Sequence, residues 1–319
     1  MRILPFILAA VIAMPAFADP QRWAAEWPNT DFDRSAIEFM SVLDGGPARD
    51  GIPAIDQPQM MPVERAAGLS ENEAVITVEI DGQPPRAYPL RYLTWHEIVN
   101  DEIAGLPIAV TFCPLCNSAM VFDRRVEGQV LSFGVSGKLR NSDMIMYDRE
   151  TESWWQQAVG EGIVGQHMGT ELVQLPSWME SWAVFRDRNP DGLVMAEPAF
   201  NRPYGRNPYT RYDTSTRPFL YDGELPPHGI PALARVVRVG DRAWPLSRFT
   251  DSEQISEAGV TLSWASGLAS ALDSDDIGAG RDVGAIRVRD ATGADIAHDV
   301  MFAFAYHAFW PDGEWMLGR

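Results

Sequence analysis

The sequence predicts an α+β protein, predominantly β, in which two related hairpin-helix-strand units pack together. Three observations support this prediction. Short apolar or alternating runs recur along the chain, turn residues such as Asp81-Gly82 separate them, and a stretch near residue 240 repeats one near residue 80. Runs of this length bounded by turn residues are typical of strands and hairpins.

Composition agrees with a folded globular protein. The 319-residue chain is 46% hydrophobic and 22% charged, and its formal net charge is -18. A chain of this size can bury the core of one large or two modest domains. Because so acidic a surface repels phosphate backbones, we expect no nucleic-acid partner.

The first 18 residues have the pattern of a secretory signal peptide. A basic start at Arg2 precedes an almost wholly apolar run, residues 3–17, and Ala16-Phe17-Ala18 supplies small residues at the positions that a signal peptidase reads. Cleavage after Ala18 leaves 25 basic and 44 acidic residues, a net charge of -19. The apolar run is too short to span a membrane. We therefore predict a periplasmic or secreted protein without a membrane anchor after signal removal, in a compartment where disulfides persist.

An N-terminal arm, residues 19–72, precedes the two units. It is rich in proline, aspartate and glycine and has one short helical pattern at 35–43. The first unit, residues 73–227, begins with "AVITVEIDGQPPRAYPL", which predicts a hairpin. Pro89 then suits the first position of a helix through "LRYLTWHEIVNDEI", and "IAVTF" predicts a strand that leads to Cys113.

The rest of the first unit is also mainly β in pattern. "AMVFDRR" and "QVLSFGV" predict a hairpin, "NSDMIMYDRETESWWQQ" begins as a strand, and a helix is expected from a Ser177 cap to Asn189-Pro190. Residues 200–219, rich in proline, tyrosine and arginine, predict an ordered loop or lid whose role the sequence leaves open.

The second unit, residues 228–319, repeats the first in part. "VVRVGDRAWPL" resembles the hairpin that ends in "RAYPL", and "GVTLSWASGLASALD" aligns without a gap on "AVTFCPLCNSAMVFD". Cys113 then falls on Ser263 and Cys116 on Ser266, which indicates an internal duplication whose fold needs no cysteine staple. The terminal "DVMFAFAYHAFW" predicts a buried strand.

Four ordered blocks carry a family resemblance. "RAYPLRYLTWHEIVND", "VTFCPLCNSAMVFDRR", "FGVSGKLRNSDMIMYDRETESWWQQ" and "FAFAYHAF" resemble the signature blocks of a family of exported bacterial and archaeal proteins catalogued only as a domain of unknown function. The resemblance covers roughly residues 51–311. It implies no reaction, so the chemistry rests on the residues.

The Cys113-Pro-Leu-Cys116 pair holds the chain's only cysteines, and it allows three interpretations. As a thiol-disulfide oxidoreductase, the pair would open a helix whose dipole lowers the first thiol's pKa, although the segment after Cys116 predicts a hairpin. As an inert pair or small staple, it would belong to a non-enzymatic binding or assembly module. As a soft-metal site, it would need further ligands.

The soft-metal hypothesis is the one that the sequence favours. We predict ligands from Cys113, Cys116, His96, Met144 and Met146, because thiolate, imidazole and thioether suit Cu(I), with Zn²⁺ the less favoured ion. The surroundings should come from the "WHEIVND" helix and the "NSDMIMYDRETES" strand. The partner is then a metal, an unknown small molecule or another exported protein.

A reaction without sulfur is the remaining alternative. Asp148, Arg149 and Glu152 could supply general acid-base chemistry to a hydrolase or a glycan-binding protein, in addition to Cys113 and Cys116 as catalytic candidates. The sequence has no nucleophile elbow, HExxH motif or phosphate loop. Whether the protein is an enzyme stays open at this point.

Overall fold

A set of five main β-sheets organises the protein. The computed structural model describes residues 20–250 and 252–318. Within these ranges the sheets are the blades of a five-bladed β-propeller. Propellers repeat small, mostly antiparallel sheets radially, so that only short sheet edges remain unpaired. The predicted signal peptide, residues 1–18, lies outside the described residues.

The strands in these ranges are short and follow one another closely. In chain order they are β1 (Val42–Asp44), β2 (Ile55–Asp56), β3 (Met60–Pro62), β4 (Ala74–Val78), β5 (Arg86–Pro89), β6 (Ile98–Ile103), β7 (Leu106–Cys113), β8 (Ser118–Asp123), β9 (Arg125–Val126), β10 (Gln129–Val130), β11 (Phe133–Arg140), β12 (Asp143–Asp148), β13 (Trp154–Gln156), β14 (Glu161–Val164), β15 (Gln174–Leu175), β16 (Ser177–Ser181), β17 (Leu193–Met195), β18 (Arg235–Val239), β19 (Arg242–Pro245), β20 (Gln254–Glu257), β21 (Val260–Ala265), β22 (Ala285–Asp290), β23 (Asp299–Phe302) and β24 (Glu314–Trp315).

The helices are few and short. Those in the described part of the chain are α1 (Leu90–His96), α2 (Trp182–Arg188) and α3 (Ala303–Phe309). Single 3₁₀ turns also occur, at Pro20–Trp23, Phe39–Ser41, Val63–Arg65, Tyr212–Thr214, Leu246–Phe249 and Ile277–Ala279.

Each blade combines strands that are distant in the chain. Blade 1 has the order β1-β11-β12-β13-β14, blade 2 β15-β8-β7-β6-β2, blade 3 β16-β4-β5-β17-β3, blade 4 β23-β18-β19-β24 and blade 5 β20-β21-β22. The arm supplies an edge strand to three blades, since β1 pairs with β11, β2 with β6 and β3 with β17. Strands β9 and β10 form a separate ribbon.

The predicted pair of α+β units is wrong. Strands make up 37% of the structure and helices 13%, and the strands form a propeller rather than two hairpin-helix-strand units. Cys113 pairs with Ser118 at the tip of a tight hairpin, whereas Ser263 lies inside β21 between Gln254 and Arg287. Alternating side chains occur in any antiparallel strand, so the alignment matched strand periodicity.

Several predicted elements have other bounds. Helix α1 ends at His96 and the chain continues as β6, because Glu97 adopts a φ of 59°. Ser177 begins a strand, and Ser181 caps α2 by accepting the N–H of Val184 at 3.4 Å. The helical pattern at 35–43 is a 3₁₀ turn followed by β1. The terminal apolar run is strand β23 followed by α3.

The main core spans blades 1 to 4, and the buried side chains of blade 5 belong to a separate cluster with Val237 and Trp244 of blade 4. The main core includes the cysteine pair, Met144, Met146 and the aromatic side chains of β23 and α3. A smaller cluster joins the arm to blade 1, where Trp23 and Trp27 pack edge-on against Trp154. Among the described residues, no helix has the length and apolar character needed to cross a membrane.

Candidate metal centre

The cysteine pair lies at the tip of the β7–β8 hairpin. Cys113 ends β7, residues 114–117 form the turn, and Ser118 begins β8. The N–H of Cys116 donates to the carbonyl of Cys113 at 3.3 Å, and Asn117 has a φ of 53°. No helix follows, so the thiols lack the helix N-terminus on which the oxidoreductase interpretation depends.

A second hairpin tip meets this turn. Strands β11 and β12 are joined by Asn141 and Ser142, whose φ values of 52° and 62° are those of a tight primed turn. This turn brings the carbonyl oxygen of Ser142 to 3.4 Å from the sulfur of Cys116 and 4.0 Å from that of Cys113. It also places Asp143, the first residue of β12, beside both thiols.

Cys113, Cys116 and Asp143 form a compact buried cluster. The two sulfurs and a carboxylate oxygen all lie within 4.8 Å of one another, a spacing that allows one metal ion to contact all three. Both cysteines are buried free thiols. A group of this composition can hold a metal through two thiolates and one oxygen.

The two oxygens of Asp143 have different surroundings. Its Oδ2 accepts hydrogen bonds from Nε2 of Gln156 at 2.7 Å and from the N–H of Ala158 at 3.0 Å. Its Oδ1 is buried without a nitrogen or hydroxyl donor, and the thiols of Cys113 and Cys116 are the remaining donors that interact with the carboxylate. Thiols are weak donors, so the carboxylate can accept a stronger partner such as a cation.

Burial governs the electrostatics of this cluster. Burial raises the pKa of Asp143 to about 6. Hydrogen bonds from Ala158, Gln156 and the two thiols act in the opposite direction and lower it. Burial also raises the pKa of Cys113, and that of Cys116 well above its usual value. The thiols are therefore protonated at neutral pH, and a metal must displace their protons to bind.

A second buried acid lies close by. Glu97 follows α1, and burial raises the pKa of its carboxyl to about 8, with a further raising effect from Asp143 and an opposing one from Tyr209. The Tyr209 hydroxyl donates to Glu97 Oε1 across 3.5 Å, a long contact. Glu97 is therefore mainly uncharged at neutral pH.

His96, predicted as a ligand, lies outside the cluster. Its Nδ1 is 2.7 Å from the carbonyl oxygen of Pro53 and its Nε2 is 2.6 Å from the hydroxyl of Tyr204. Because a carbonyl only accepts, Nδ1 carries the proton and Nε2 accepts from the tyrosine. Burial lowers the pKa of His96, which agrees with a neutral ring. Both nitrogens are thus engaged by neighbours other than the cysteines.

The predicted methionine ligands differ in their position. The backbone N–H of Met144 interacts with the Cys113 thiol and lowers its pKa, and the Met144 side chain lines a neighbouring cavity. Met146 is fully buried in the main core. Neither thioether is needed for the three-residue cluster.

The predicted acid-base residues lie at the opposite end of β12. Asp148 accepts from the N–H and hydroxyl of Thr151 at 2.6 and 2.8 Å and from Nε1 of Trp155 at 2.8 Å. Arg149 pairs with Asp56 at 2.7 Å, and Glu152 pairs with Arg49 of the arm at 2.9 Å. These contacts close a turn and attach the arm, and the structure does not bring the three residues to the cysteines.

Sequence reasoning missed the two acids that surround the cysteines. Asp143 lies in the "NSDMIMYDRETES" block and Glu97 in the "WHEIVND" block, the two segments expected to surround the pair. Each acid lies at the end of a secondary-structure element: Glu97 follows α1 and Asp143 begins β12. A side chain at such an end need not follow the periodicity of the helix or strand, and this position is the signal by which the sequence could have identified the two acids.

Fold and site together define a class of protein: a β-propeller with a buried dithiol-carboxylate cluster able to hold a metal ion. The chain belongs to the family described as "Protein of unknown function (DUF3179)", whose model matches residues 49–313. This match confirms the family resemblance stated from the signature blocks. No curated protein and no solved structure matches the chain.

Proposed function

We propose that this protein is an exported metal-binding protein that holds one Zn²⁺ ion through Cys113, Cys116 and Asp143. The observation that carries the proposal is the compact, buried group of two free thiols and the Asp143 carboxylate. Apart from the Gln156 and Ala158 donors, this carboxylate has only weak thiol donors, and a cation is a stronger partner for it than a thiol.

The donor set favours zinc over the copper expected from sequence. Zn²⁺ accepts cysteine sulfur together with carboxylate oxygen, whereas Cu(I) favours thiolate and thioether ligands and gains little from a hard oxygen. The proposed donor set includes the Asp143 carboxylate in place of the His96 imidazole, whose two nitrogens contact Pro53 and Tyr204. Three protein ligands leave a fourth position for water or a substrate, which is the pattern of catalytic zinc sites.

Export is part of the proposal and rests on sequence alone. A basic start, an apolar run and Ala16-Phe17-Ala18 support it. N-terminal sequencing or intact mass of protein recovered from the periplasm should give a chain that begins at Asp19. A recovered chain that retains Arg2 would remove the argument for an exported protein.

Metal titration tests the site directly. Reduced, metal-free protein is titrated with Zn²⁺ and with Cu(I), each against a competing chelator, and with Co²⁺ as an optical probe of thiolate ligation. We expect one Zn²⁺ per chain and a sulfur-to-cobalt charge-transfer band. Cys113→Ser should weaken Zn²⁺ binding by about a hundredfold and Asp143→Asn by about tenfold, equal to ~2.7 and ~1.4 kcal/mol.

Matched variants identify the ligands and the metal. Asp148→Asn changes a second buried aspartate on the same strand and should leave Zn²⁺ affinity unchanged, as should His96→Ala. If copper is the natural ion, Cu(I) binding will be lost in Cys113→Ser and unchanged in Asp143→Asn. Equal, weak binding of all three metals by wild type and variants contradicts the metal-site proposal.

A second candidate function is favoured by the same aspartate. Two free thiols beside a carboxylate whose pKa is about 6 can form a dithiol-disulfide couple in which Asp143 accepts a thiol proton. The oxidant would be a disulfide of another exported molecule: its S–S bond breaks, the Cys113–Cys116 bond forms, and the two thiol protons pass to the departing sulfurs.

Redox titration separates this candidate from the metal site. Metal-free protein is equilibrated with mixtures of reduced and oxidised glutathione, and thiol alkylation with mass spectrometry gives the fraction of Cys113–Cys116 disulfide. A measurable midpoint, and slower oxidation in Asp143→Asn than in Asp148→Asn, would support the couple. Persistence of both thiols in fully oxidised glutathione would exclude it.

A further inference from the structure

A cavity of about 450 Å³ lies against the cysteine turn. Its walls include Leu115 between the cysteines, Met144 beside Asp143, and the segment of residues 200–219, here termed the strap. The arm, Glu97 and strand β11 also contribute to the lining. Tyr212 of the strap donates its hydroxyl to the carbonyl of Leu115 at 2.9 Å. The cavity therefore adjoins the candidate metal centre, and the strap forms one of its walls.

The strap is held over the cavity by specific contacts. The hydroxyl of Ser142 donates to the carbonyl of Phe219 at 2.5 Å, and the N–H of Phe219 donates to the Tyr212 hydroxyl at 3.2 Å. Tyr204 binds His96, so the histidine first expected to hold metal instead attaches the strap. These contacts explain how a segment whose regular structure is a single 3₁₀ turn stays ordered.

The cavity has the size and lining of a small-molecule site. Its volume is within the roughly 300–1,000 Å³ typical of ligand pockets, and such pockets combine apolar walls with few polar groups. The apolar lining includes Ile52, Leu115, Val135, Leu139, Met144 and Phe219. A charged ligand would lose its hydration against these walls without compensation.

Glu97 is the polar group best placed to orient a ligand. It lines the cavity, and its Oε1 has only the long contact with Tyr209. Its φ of 59° is unusual for a residue other than glycine, and strained backbone of this kind is concentrated at functional sites. The backbone N–H and carbonyl of Glu97 bond Leu93 and Phe112, both at 2.8 Å, which fixes its position.

The cationic groups near the cavity do not create an anion site. Lys138 lines the cavity, but its ammonium group bonds Glu26 at 3.0 Å and lies 3.7 Å from Asp44. Arg211 also lines the cavity, but its side chain is exposed, so water screens its charge. With Asp143 close by, anions are repelled from the cavity interior.

We infer that this cavity binds a small, uncharged, mainly apolar molecule with a hydrogen-bond acceptor such as a carbonyl, to which the Glu97 carboxyl donates. Burial keeps Glu97 protonated at neutral pH, as its pKa of about 8 indicates, so the acid can donate. This inference goes beyond the metal site and does not require that a metal be bound.

Three matched probes test the inference on the metal-free full chain at neutral pH. Acetophenone has an apolar ring and a carbonyl, ethylbenzene lacks the acceptor, and benzoate carries a charge. Saturation-transfer NMR with titration should show saturable binding of acetophenone and no binding of benzoate. Ethylbenzene should bind about fivefold more weakly than acetophenone, because it lacks one net hydrogen bond.

Variants locate the probe and identify the donor. Val135→Phe fills the cavity and should abolish acetophenone binding, while Glu97→Leu should reduce it to the level of ethylbenzene. Glu97→Gln keeps an N–H donor and should retain most of the affinity, so it controls for the changed side chain; near-UV circular dichroism verifies folding of each variant. Absence of saturable binding, or acetophenone binding unchanged in both Val135→Phe and Glu97→Leu, overturns the inference. Zn²⁺ titration of the same samples reports separately on the metal centre.

Discussion

The two ends of β12 each carry a buried aspartate, yet the two side chains have opposite surroundings. Asp148 is bonded by a backbone N–H, a hydroxyl and an indole N–H, all within its own turn and the adjacent strand. Asp143 begins the strand, about 16 Å away at the rise of an extended strand, and its Oδ1 has no nitrogen or hydroxyl donor. It faces two thiols from another blade.

This difference distinguishes a structural carboxylate from one available for binding. A fully paired carboxylate has its hydration replaced by the protein and stabilises a turn. One whose remaining donors are weak thiols contributes little to the metal-free fold and offers a ligand to a cation. Both are aspartates that begin or end the same strand, so residue type and burial alone do not separate the two roles.

Replacing each aspartate by asparagine is the strongest test of the difference between the two ends of β12. Asp148→Asn should lower the free energy of unfolding by about 3 kcal/mol, because three buried donors lose a charged acceptor, and should not alter Zn²⁺ affinity. Asp143→Asn should change the metal-free stability by less than about 1 kcal/mol while weakening Zn²⁺ binding. Urea denaturation and Zn²⁺ titration of both variants measure the two effects. The same pattern in both variants would show that the two ends are equivalent.

The pH dependence of stability tests a second buried acid, Glu97, at the cysteine end of β12. Glu97 has a folded-state pKa of about 8, above its ordinary value of 4.5, so between these values the folded state binds more protons. The contribution of Glu97 to the free energy of unfolding is therefore fully present below about pH 4.5 and is lost as pH rises through 8. Tyr209 and Asp143 are the titratable neighbours that act on it.

We expect metal-free protein to lose about 2 kcal/mol of stability between pH 6 and pH 8 through this one group, and Glu97→Gln to remove that loss. Urea denaturation at several pH values measures the slope. Glu102→Gln, which changes an exposed glutamate nearby, should keep the wild-type slope. A Glu97→Gln protein with an unchanged slope would show that Glu97 is ionised throughout this range.

Replacing both thiols should have a smaller effect on the fold. Cys113→Ser with Cys116→Ser should leave the protein folded and reduce stability by about 1 to 2 kcal/mol, since each hydroxyl is slightly smaller, and Ser142 and Asp143 can accept its proton. Metal binding should disappear in the same variant. Failure of this variant to fold would indicate that the cysteines build the core rather than a site.

The contact between Tyr204 and His96 should have the smallest effect. Tyr204→Phe removes one hydrogen bond of 2.6 Å and should cost about 1 kcal/mol or less, without a change in Zn²⁺ affinity. Faster proteolysis within residues 200–219 would accompany the loss, because the strap is released. A fall in Zn²⁺ affinity would instead return His96 to the metal centre.

The sequence by itself determined the local elements and the chemical centre. Alternation and turn residues correctly predicted the β4–β5 hairpin around Asp81-Gly82 and the strand that ends at Cys113. The CPLC spacing pointed to the two cysteines that, with Asp143, form a group able to hold a metal ion. These features depend on neighbours in the chain, for which periodicity and turn chemistry carry the information.

The tertiary structure decided the propeller and the composition of the site. In blade 3, β4 pairs with β16. In blade 2, the arm strand β2 pairs with β6, which in turn pairs with β7. Pairing between strands that are distant in the chain produces no periodic pattern in the sequence. Asp143 reaches the thiols because two hairpin tips from different blades meet, while His96 is turned towards Pro53 and Tyr204. Side chains from distant segments become ligands only where the packing of blades brings them together, which is a property of the whole chain.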